Sequence, residues 1–351
     1  MANLNSSIRG VVGQVLAVLS TRNKDVISRR FGLKTGKKET LESIGKSYGI
    51  TRERVRQIEE VSLKQIRGNL NNGMAAKVKP FVSLAENILE QAGGVSREDN
   101  LFAKFSGVAK ESPANAALVF FLSLDGQLKK FAEIDDLHTF WALSGQHAES
   151  FKKSLSVFVN ALEKEGAPIA ESAVVDFYKK SGASLKDVTP AIIVSYLSIS
   201  QSIAKNNFGQ LGLVNWPDIK PRGVRDKAFL VLKRDGKPKH FREITQLING
   251  SGFDSRRANV QTVHNELIKD KRFVLVGRGL YGLAEWGYKA GTVKDVIADL
   301  LRSAGQPMHK KDIVAQVLSH RMVKENTIIL NLQDSKTFDK KGNGVYALRE
   351  A

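Results

Sequence analysis

Residues 40–66 read TLESIGKSYGITRERVRQIEEVSLKQI. The pattern predicts a helix, a tight turn at Gly49 and a second helix. Gly49 falls where the turn wants a residue tolerant of left-handed backbone. Thr51 is placed to cap the second helix, and Arg54 stands where a capping box would carry Glu or Gln, so that box is absent. Val55, Ile58, Leu63 and Ile66 form the expected buried stripe. Arg52, Glu53, Arg56 and Gln57 then point outward near the helix N-terminus, the end that enters a major groove. Arg suits guanine O6 and N7, Glu accepts from a cytosine amine, and Gln suits adenine.

The stretch sits in a 351-residue chain with enough length for several small cores. Apolar residues make up 42% and charged residues 26%, a soluble globular balance. The formal net charge is +18, which favours a polyanionic partner. That charge is uneven: residues 1–80 carry +10, 81–218 carry −4, 219–288 carry +8 and 289–351 carry +4. Two basic ends therefore flank an acidic middle better suited to spacing or protein contact. The chain has no cysteine, which excludes disulfides and thiolate metal sites and fits a cytoplasmic setting. The N-terminus lacks the charged region and cleavage site of a signal peptide. The apolar span 116–122 is far shorter than the roughly 20 residues a membrane helix needs.

Beyond residue 80 the chain repeats itself. Val224, Asp226, Gly236, Pro238 and Ile244 recur 69 residues on as Val293, Asp295, Gly305, Pro307 and Ile313. Thr262, Leu267, Phe273, Gly277, Gly279, Tyr281 and Leu283 recur 65 residues on as Thr327, Leu332, Phe338, Gly342, Gly344, Tyr346 and Leu348. An earlier copy places Gly166, Pro168, Val174, Leu197, Gly209 and Trp216 seventy residues before Gly236, Pro238, Ile244, Leu267, Gly279 and Trp286. A weaker fourth copy covers 81–145. The unit at 221–288 shows the grammar best. Helices are expected at 225–233, 241–248 and 256–268, with Val260, Val263 and Leu267 on one face, followed by two strands in a hairpin. Three helices followed by a hairpin define a winged helix.

Two resemblances follow from these residues. Residues 22–67, from RNKDVISRRFGL through ITRERVRQIEEVSLKQI, resemble region 4 of the primary sigma factors. Val26, Ile27 and Phe31 would face the core beneath Arg29 and Arg30. The resemblance implies reading of minus-35 promoter DNA, with base contacts from Arg52, Glu53 and Gln57 and phosphate contacts from Arg54, Arg56 and Lys46. Ser43 departs from the acidic residue or Gln usual there, on the helix that does not read. No stretch resembles the aromatic-rich region that melts promoter DNA. Residues 264–286, HNELIKDKRFVLVGRGLYGLAEW, resemble the HARE-type winged helix, as in the RNA polymerase delta subunit. Arg256, Arg257, Gln261, His264 and Asn265 would line its third helix, and Lys271, Arg272 and Arg278 its wing; DNA contact and protein docking are both open for these residues.

Other motifs carry less. Gly277 to Gly282 spells GxGxxG, but a strand rather than a helix is expected after it, so dinucleotide binding is rejected. His240 and His309 are repeat equivalents without a second ligand, read as helix-entry residues. Trp141, Trp216 and Trp286 read as core plugs. No acid–base or nucleophile constellation stands out, so no catalysis, cofactor, metal or small-molecule substrate is expected.

The expected fold is mainly α with small β-hairpins: a helix-turn-helix domain over 1–75, then winged-helix repeats over 81–148, 151–218, 221–288 and 291–349. The expected function is sequence-specific recognition of double-stranded, minus-35-like promoter DNA in transcription regulation through the N-terminal helix-turn-helix, with the winged helices contacting DNA or RNA polymerase core and with no membrane partner. Two alternatives remain: an RNA polymerase accessory subunit acting by protein contact, and a DNA reader for a modification or defence system.

Overall fold

The computed structural model describes residues 2–183, 189–288 and 290–349. The chain divides into two compact units, residues 1–204 with 211–214, and residues 205–210 with 215–351.

The first unit opens with α1 (Ala2–Val15) and a short 3-10 turn, Leu16–Val18. Helix α2 (Thr21–Phe31) starts where the Ser20 hydroxyl accepts from the Asn23 amide at 3.3 Å and stops at Gly32, φ +72°. Helix α3 (Leu41–Tyr48) is capped by Thr40, and α4 (Arg52–Asn69) by Thr51, whose hydroxyl accepts from the Arg54 amide at 3.2 Å. Helix α4 runs through one π turn, Leu70–Met74, into α5 (Ala75–Gln91). The domain boundary expected between 75 and 81 therefore lies inside a helix. Val78, Phe81, Val82, Ala85, Ile88 and Leu89 give α5 a continuous buried stripe, which holds the chain helical across the expected break.

From α5 onward one order recurs four times: helix, short strand, helix, helix, then two strands. In the first copy α5 leads to β1 (Val95–Arg97), α6 (Glu98–Ser106), α7 (Pro113–Asp125), β2 (Lys129–Phe131) and β3 (Phe140–Ala142). In the second, α8 (Gly145–Glu165) leads to β4 (Ile169–Ala170), α9 (Val174–Lys180), α10 (Pro190–Ile199), β5 (Ile203–Lys205) and β6 (Gln210–Leu213). The third has α11 (Val224–Asp235), β7 (Lys239–His240), α12 (Phe241–Gly250), α13 (Val260–Lys269), β8 (Phe273–Gly277) and β9 (Leu280–Leu283). The fourth has α14 (Val293–Ala304), β10 (Met308–His309), α15 (Lys310–His320), α16 (Glu325–Leu332), β11 (Phe338–Gly342) and β12 (Val345–Leu348).

Each copy makes a three-stranded sheet with its last strand in the centre, β1-β3-β2, β4-β6-β5, β7-β9-β8 and β10-β12-β11, antiparallel in the first, third and fourth. The first strand of each sheet was not anticipated from sequence. It is only two or three residues long, too short for a visible alternation. In three copies its origin is nevertheless legible afterwards. Gly166, Gly236 and Gly305 end their helices in left-handed backbone, φ +66°, +73° and +65°. The following Pro then favours extended chain, which pairs as a strand.

Packing divides along the same lines. One core joins α1, α2, α4, α5, α6 and α7, from Ile8, Ile27 and Ile66 to Phe81, Phe120 and Trp141. A smaller cluster of Val26, Ile44 and Val55 sits among α2, α3 and α4. The third and fourth copies each have their own core, around Val231, Ile244 and Leu267, and around Ile297, Ile313 and Ile328. Trp141 is a buried plug, whereas Trp216 and Trp286 are half-buried. No helix among the described residues is long and apolar enough to cross a membrane.

Candidate nucleic-acid interface

Helices α3 and α4 approach closely because residue 45 is glycine. A Cβ there would stand 2.7 Å from the Ile50 carbonyl oxygen, inside van der Waals contact. Gly49, φ +64°, closes α3 with its amide directed back at the Gly45 and Lys46 carbonyls. Val55, Ser62 and Ile66 are the buried side chains of α4; Ile58 and Leu63 are half-buried. Ser62 was missed as a core residue: a small side chain fits the seam, and its hydroxyl oxygen is buried without a hydrogen-bond partner.

Arg29 and Arg30 set the angle of the pair. Arg29 grips Glu39 with two bonds, Nε to Oε1 at 2.9 Å and Nη2 to Oε2 at 2.7 Å, and donates to the Ser47 hydroxyl at 2.6 Å. Arg30 donates to Glu59 on α4 at 3.0 Å and to the Glu39 carbonyl at 3.0 Å. The Arg29 bonds hold the Glu39 carboxyl below the ordinary carboxylate value. Tyr48 donates to Asp25 at 2.8 Å, which raises the Tyr48 hydroxyl pKa. These cations are structural ties between α2, the turn and α4. Sequence could only count them as basic charge.

The outward side of α4 carries Arg52, Glu53, Arg54, Arg56 and Gln57, all exposed. The Arg52 side chain makes no hydrogen bond or ion pair among the described residues. Arg54 donates to the Gln57 side-chain oxygen at 3.1 Å. Arg56 lies between Glu53, at 2.9 Å, and Glu60, at 3.2 Å. Its hydrogen bonds hold the Glu53 carboxyl below the usual range, and Glu53 in turn raises the Arg56 guanidinium. Lys46 on α3 is exposed and pairs with Glu42 at 3.1 Å. The helix therefore presents donors and one acceptor around its first turns, held by neighbours on the same helix.

That geometry can be set beside known proteins. Residues 15–68 match the family model of sigma-70, region 4. Over 53 residues the chain is 49% identical to RNA polymerase sigma factor SigA1 of Synechococcus elongatus. The match covers 15% of this chain and 13% of that relative. Region 4 is a DNA-binding domain of sigma factors, and in this chain the region 4 domain shares its core with α1, α5 and α7.

The second candidate surface, around α13, differs from expectation at five residues. The helix begins at Val260, not 256, because the Asn259 side chain caps it, accepting from Gln261 N at 2.8 Å. The Asn249 side chain holds the lead-in, accepting from Ala258 N at 2.7 Å and donating to its carbonyl at 3.2 Å. Arg256 and Arg257 therefore precede the helix and are exposed on its lead-in loop. His264 is half-buried, its ring 4.4 Å from Phe241 and 6.0 Å from Tyr281 by centroid. Arg272 is tied to Asp270 at 2.7 Å and Asp226 at 2.9 Å and lies over Phe229, a strut rather than a free cation. Val260, expected on the inner face, is 39% exposed at the start of the helix.

Gln261, Asn265, Lys271 and Arg278 are exposed, Gln261 donating to Asn265 at 3.0 Å. Gly279, φ +71°, forms the hairpin turn and strand β9 follows, so the glycine-rich run lacks the helix that would face a pyrophosphate. His240 and His309 cap α12 and α15, each accepting from the backbone two residues on, at 3.3 and 3.2 Å. No cluster of three or more metal-ligating side chains occurs among the described residues.

Proposed function

We propose that this chain is a DNA-binding transcription regulator whose region 4 domain reads minus-35-like duplex DNA through α4. The observation that carries the reading is the exposed set Arg52, Glu53, Arg54, Arg56 and Gln57 at the N-terminal turns of a helix pinned from behind by Arg30–Glu59. Donors and an acceptor on one rigid helix end suit base edges in a major groove. Arg52, Glu53 and Gln57 make the base contacts, and Arg54, Arg56 and Lys46 face phosphates. The four recurring units, with their three-stranded sheets, are winged helices of the HARE type. The net charge of +18 supports a salt-sensitive hold on polyanionic DNA.

The test is fluorescence anisotropy of the full chain on a minus-35-containing duplex and a scrambled one, at two salt concentrations, with Arg52→Ala alongside. A preference of about tenfold, worth about 1.4 kcal/mol, that Arg52→Ala abolishes is the expected result. Equal binding to both duplexes, unaffected by the substitution, sinks the reading and leaves the polymerase-accessory function as its replacement. No catalytic role is proposed.

A further inference from the structure

The four repeats offer four third helices, and the protein itself occupies two of them. Helix α7 is buried on all sides: residues 114–122 are buried without a break, Phe120 meets Phe31 at 5.0 Å, and Arg67 of α4 donates to the Ser123 carbonyl at 3.0 Å. Helix α10 docks on the first repeat. Tyr196 donates to the Gly93 carbonyl at 2.7 Å, and Ser195 donates to the Val95 carbonyl at 3.2 Å. Arg97 donates to the Ser198 carbonyl at 3.2 Å. Gly93 is tight against this helix, since a Cβ there would stand 2.6 Å from Ile192. Helix α7 has no free face for a groove, the open side of α10 carries only the apolar Pro190, Ala191 and Val194, and their segment, 81–218, is acidic at −4.

Helices α13 and α16 remain, and one pair of equivalent residues separates them. Arg256 precedes α13, and its repeat partner 65 residues on is Arg321, before α16. Arg321 is 4% exposed and its guanidinium donates to the Leu275 and Gly291 carbonyls, while the Met322 amide donates to the Val276 carbonyl at 2.8 Å. Burial lowers its pKa, the cost of a structural role. Arg256, by contrast, is exposed and its guanidinium makes no ion pair among the described residues, with Asp254 nearby accepting from its backbone amide at 3.0 Å; Arg257, Lys271 and Arg278 are likewise exposed and in no ion pair among the described residues. Several neighbouring cations are paired: Arg225 with Glu266, Lys227 with Asp254, Lys239 with Asp235, Arg272 with Asp226. Arg256 and Arg257 lie at the lead-in, Lys271 just past the far end and Arg278 at the hairpin turn beside α13, a helix about 15 Å long. Helix α16 instead opens on Glu325 and exposes Leu330 at 65%.

We infer that the chain has a second duplex-binding surface, formed by the α13 face with Arg256, Arg257, Lys271 and Arg278, which holds DNA by its phosphates, and that the first two repeats are scaffold rather than DNA-binding modules. Four exposed cations beside Gln261 and Asn265 match a phosphate backbone in charge and hydrogen bonding. Each phosphate neutralised releases counterions, so this surface adds to the salt dependence of binding.

The experiment uses the full chain with all four cations changed, Arg256→Glu, Arg257→Glu, Lys271→Glu and Arg278→Glu, and a second form carrying Gln at the same places. Two duplexes are titrated: one of about one and a half helical turns holding only the region 4 site, and one about three times longer. A control changes Lys179 and Lys180 of the acidic segment to Glu. The expected result is a tenfold or greater loss on the long duplex, a shallower salt slope, and no change on the short one. The Gln form falls between, and the control matches the parent. Unchanged long-duplex affinity overturns the proposal, as does an equal loss in the control, which would mean diffuse polycation binding. The outcome is separable from the minus-35 reading, because Arg52→Ala moves sequence preference on the short duplex and these variants do not.

Discussion

Arg56 and Glu53 are joined on the exposed side of α4, Nη2 to Oε1 at 2.9 Å, one helical turn apart. A phosphate and the Glu53 carboxylate therefore compete for one guanidinium. Glu53→Gln should release Arg56 and remove a negative charge from the binding face. Affinity for any duplex should rise, while discrimination at the base that Glu53 reads should fall by about 1–3 kcal/mol. Anisotropy on duplexes permuted one base at a time measures both. A loss of general affinity would show that the pair orders Arg56 for binding rather than restraining it.

Gly45 is where α3 and α4 touch. Gly45→Ala places a methyl 2.7 Å from the Ile50 carbonyl, a backbone atom that cannot swing aside. Such overpacking should cost about 1–3 kcal/mol. Denaturant melts should show the loss, and specific binding should fall with it because the angle of α4 changes. Parent-like stability would mean that the turn relaxes freely.

The Arg29–Glu39 pair predicts a pH dependence. The Glu39 carboxyl titrates below its ordinary value of 4.5 when folded, so its contribution is present above that value. It is lost as pH falls through the lowered folded value. With Glu39 37% exposed, screening keeps the effect small, about 1 kcal/mol or less. Amide exchange of α2 and α3 between pH 5 and 3 should lose protection more gradually in Glu39→Gln than in the parent. Parallel profiles would assign the acid sensitivity elsewhere.

Phe120 of α7 reaches the region 4 domain through Phe31, ring to ring at 5.0 Å. Phe120→Ala should cost about 3–5 kcal/mol and should loosen α2 and α4 as well as α7. Hydrogen exchange resolved by peptide would show the spread. Loosening confined to 113–125 would mean that the region 4 domain stands alone.

The sequence by itself determined the local parts. Spacing and a cap placed the Gly49 turn and α4, since Thr51 and Gly49 act within a few residues of themselves. The same logic exposed the repeating order, because equivalent glycines end equivalent helices. Tertiary structure decided which charges are free. Arg272 and Arg321 read in sequence like Lys271 and Arg256, yet the first two are held by Asp226 and by backbone carbonyls far along the chain. Asp226 and Leu275 each lie 46 residues before the cation they hold, which leaves no periodicity to read, whereas the other partner of Arg272, Asp270, is local. The same holds for α7 and α10. Both are apolar, but only packing shows that Phe31 lies against α7 and that Gly93 lies against α10.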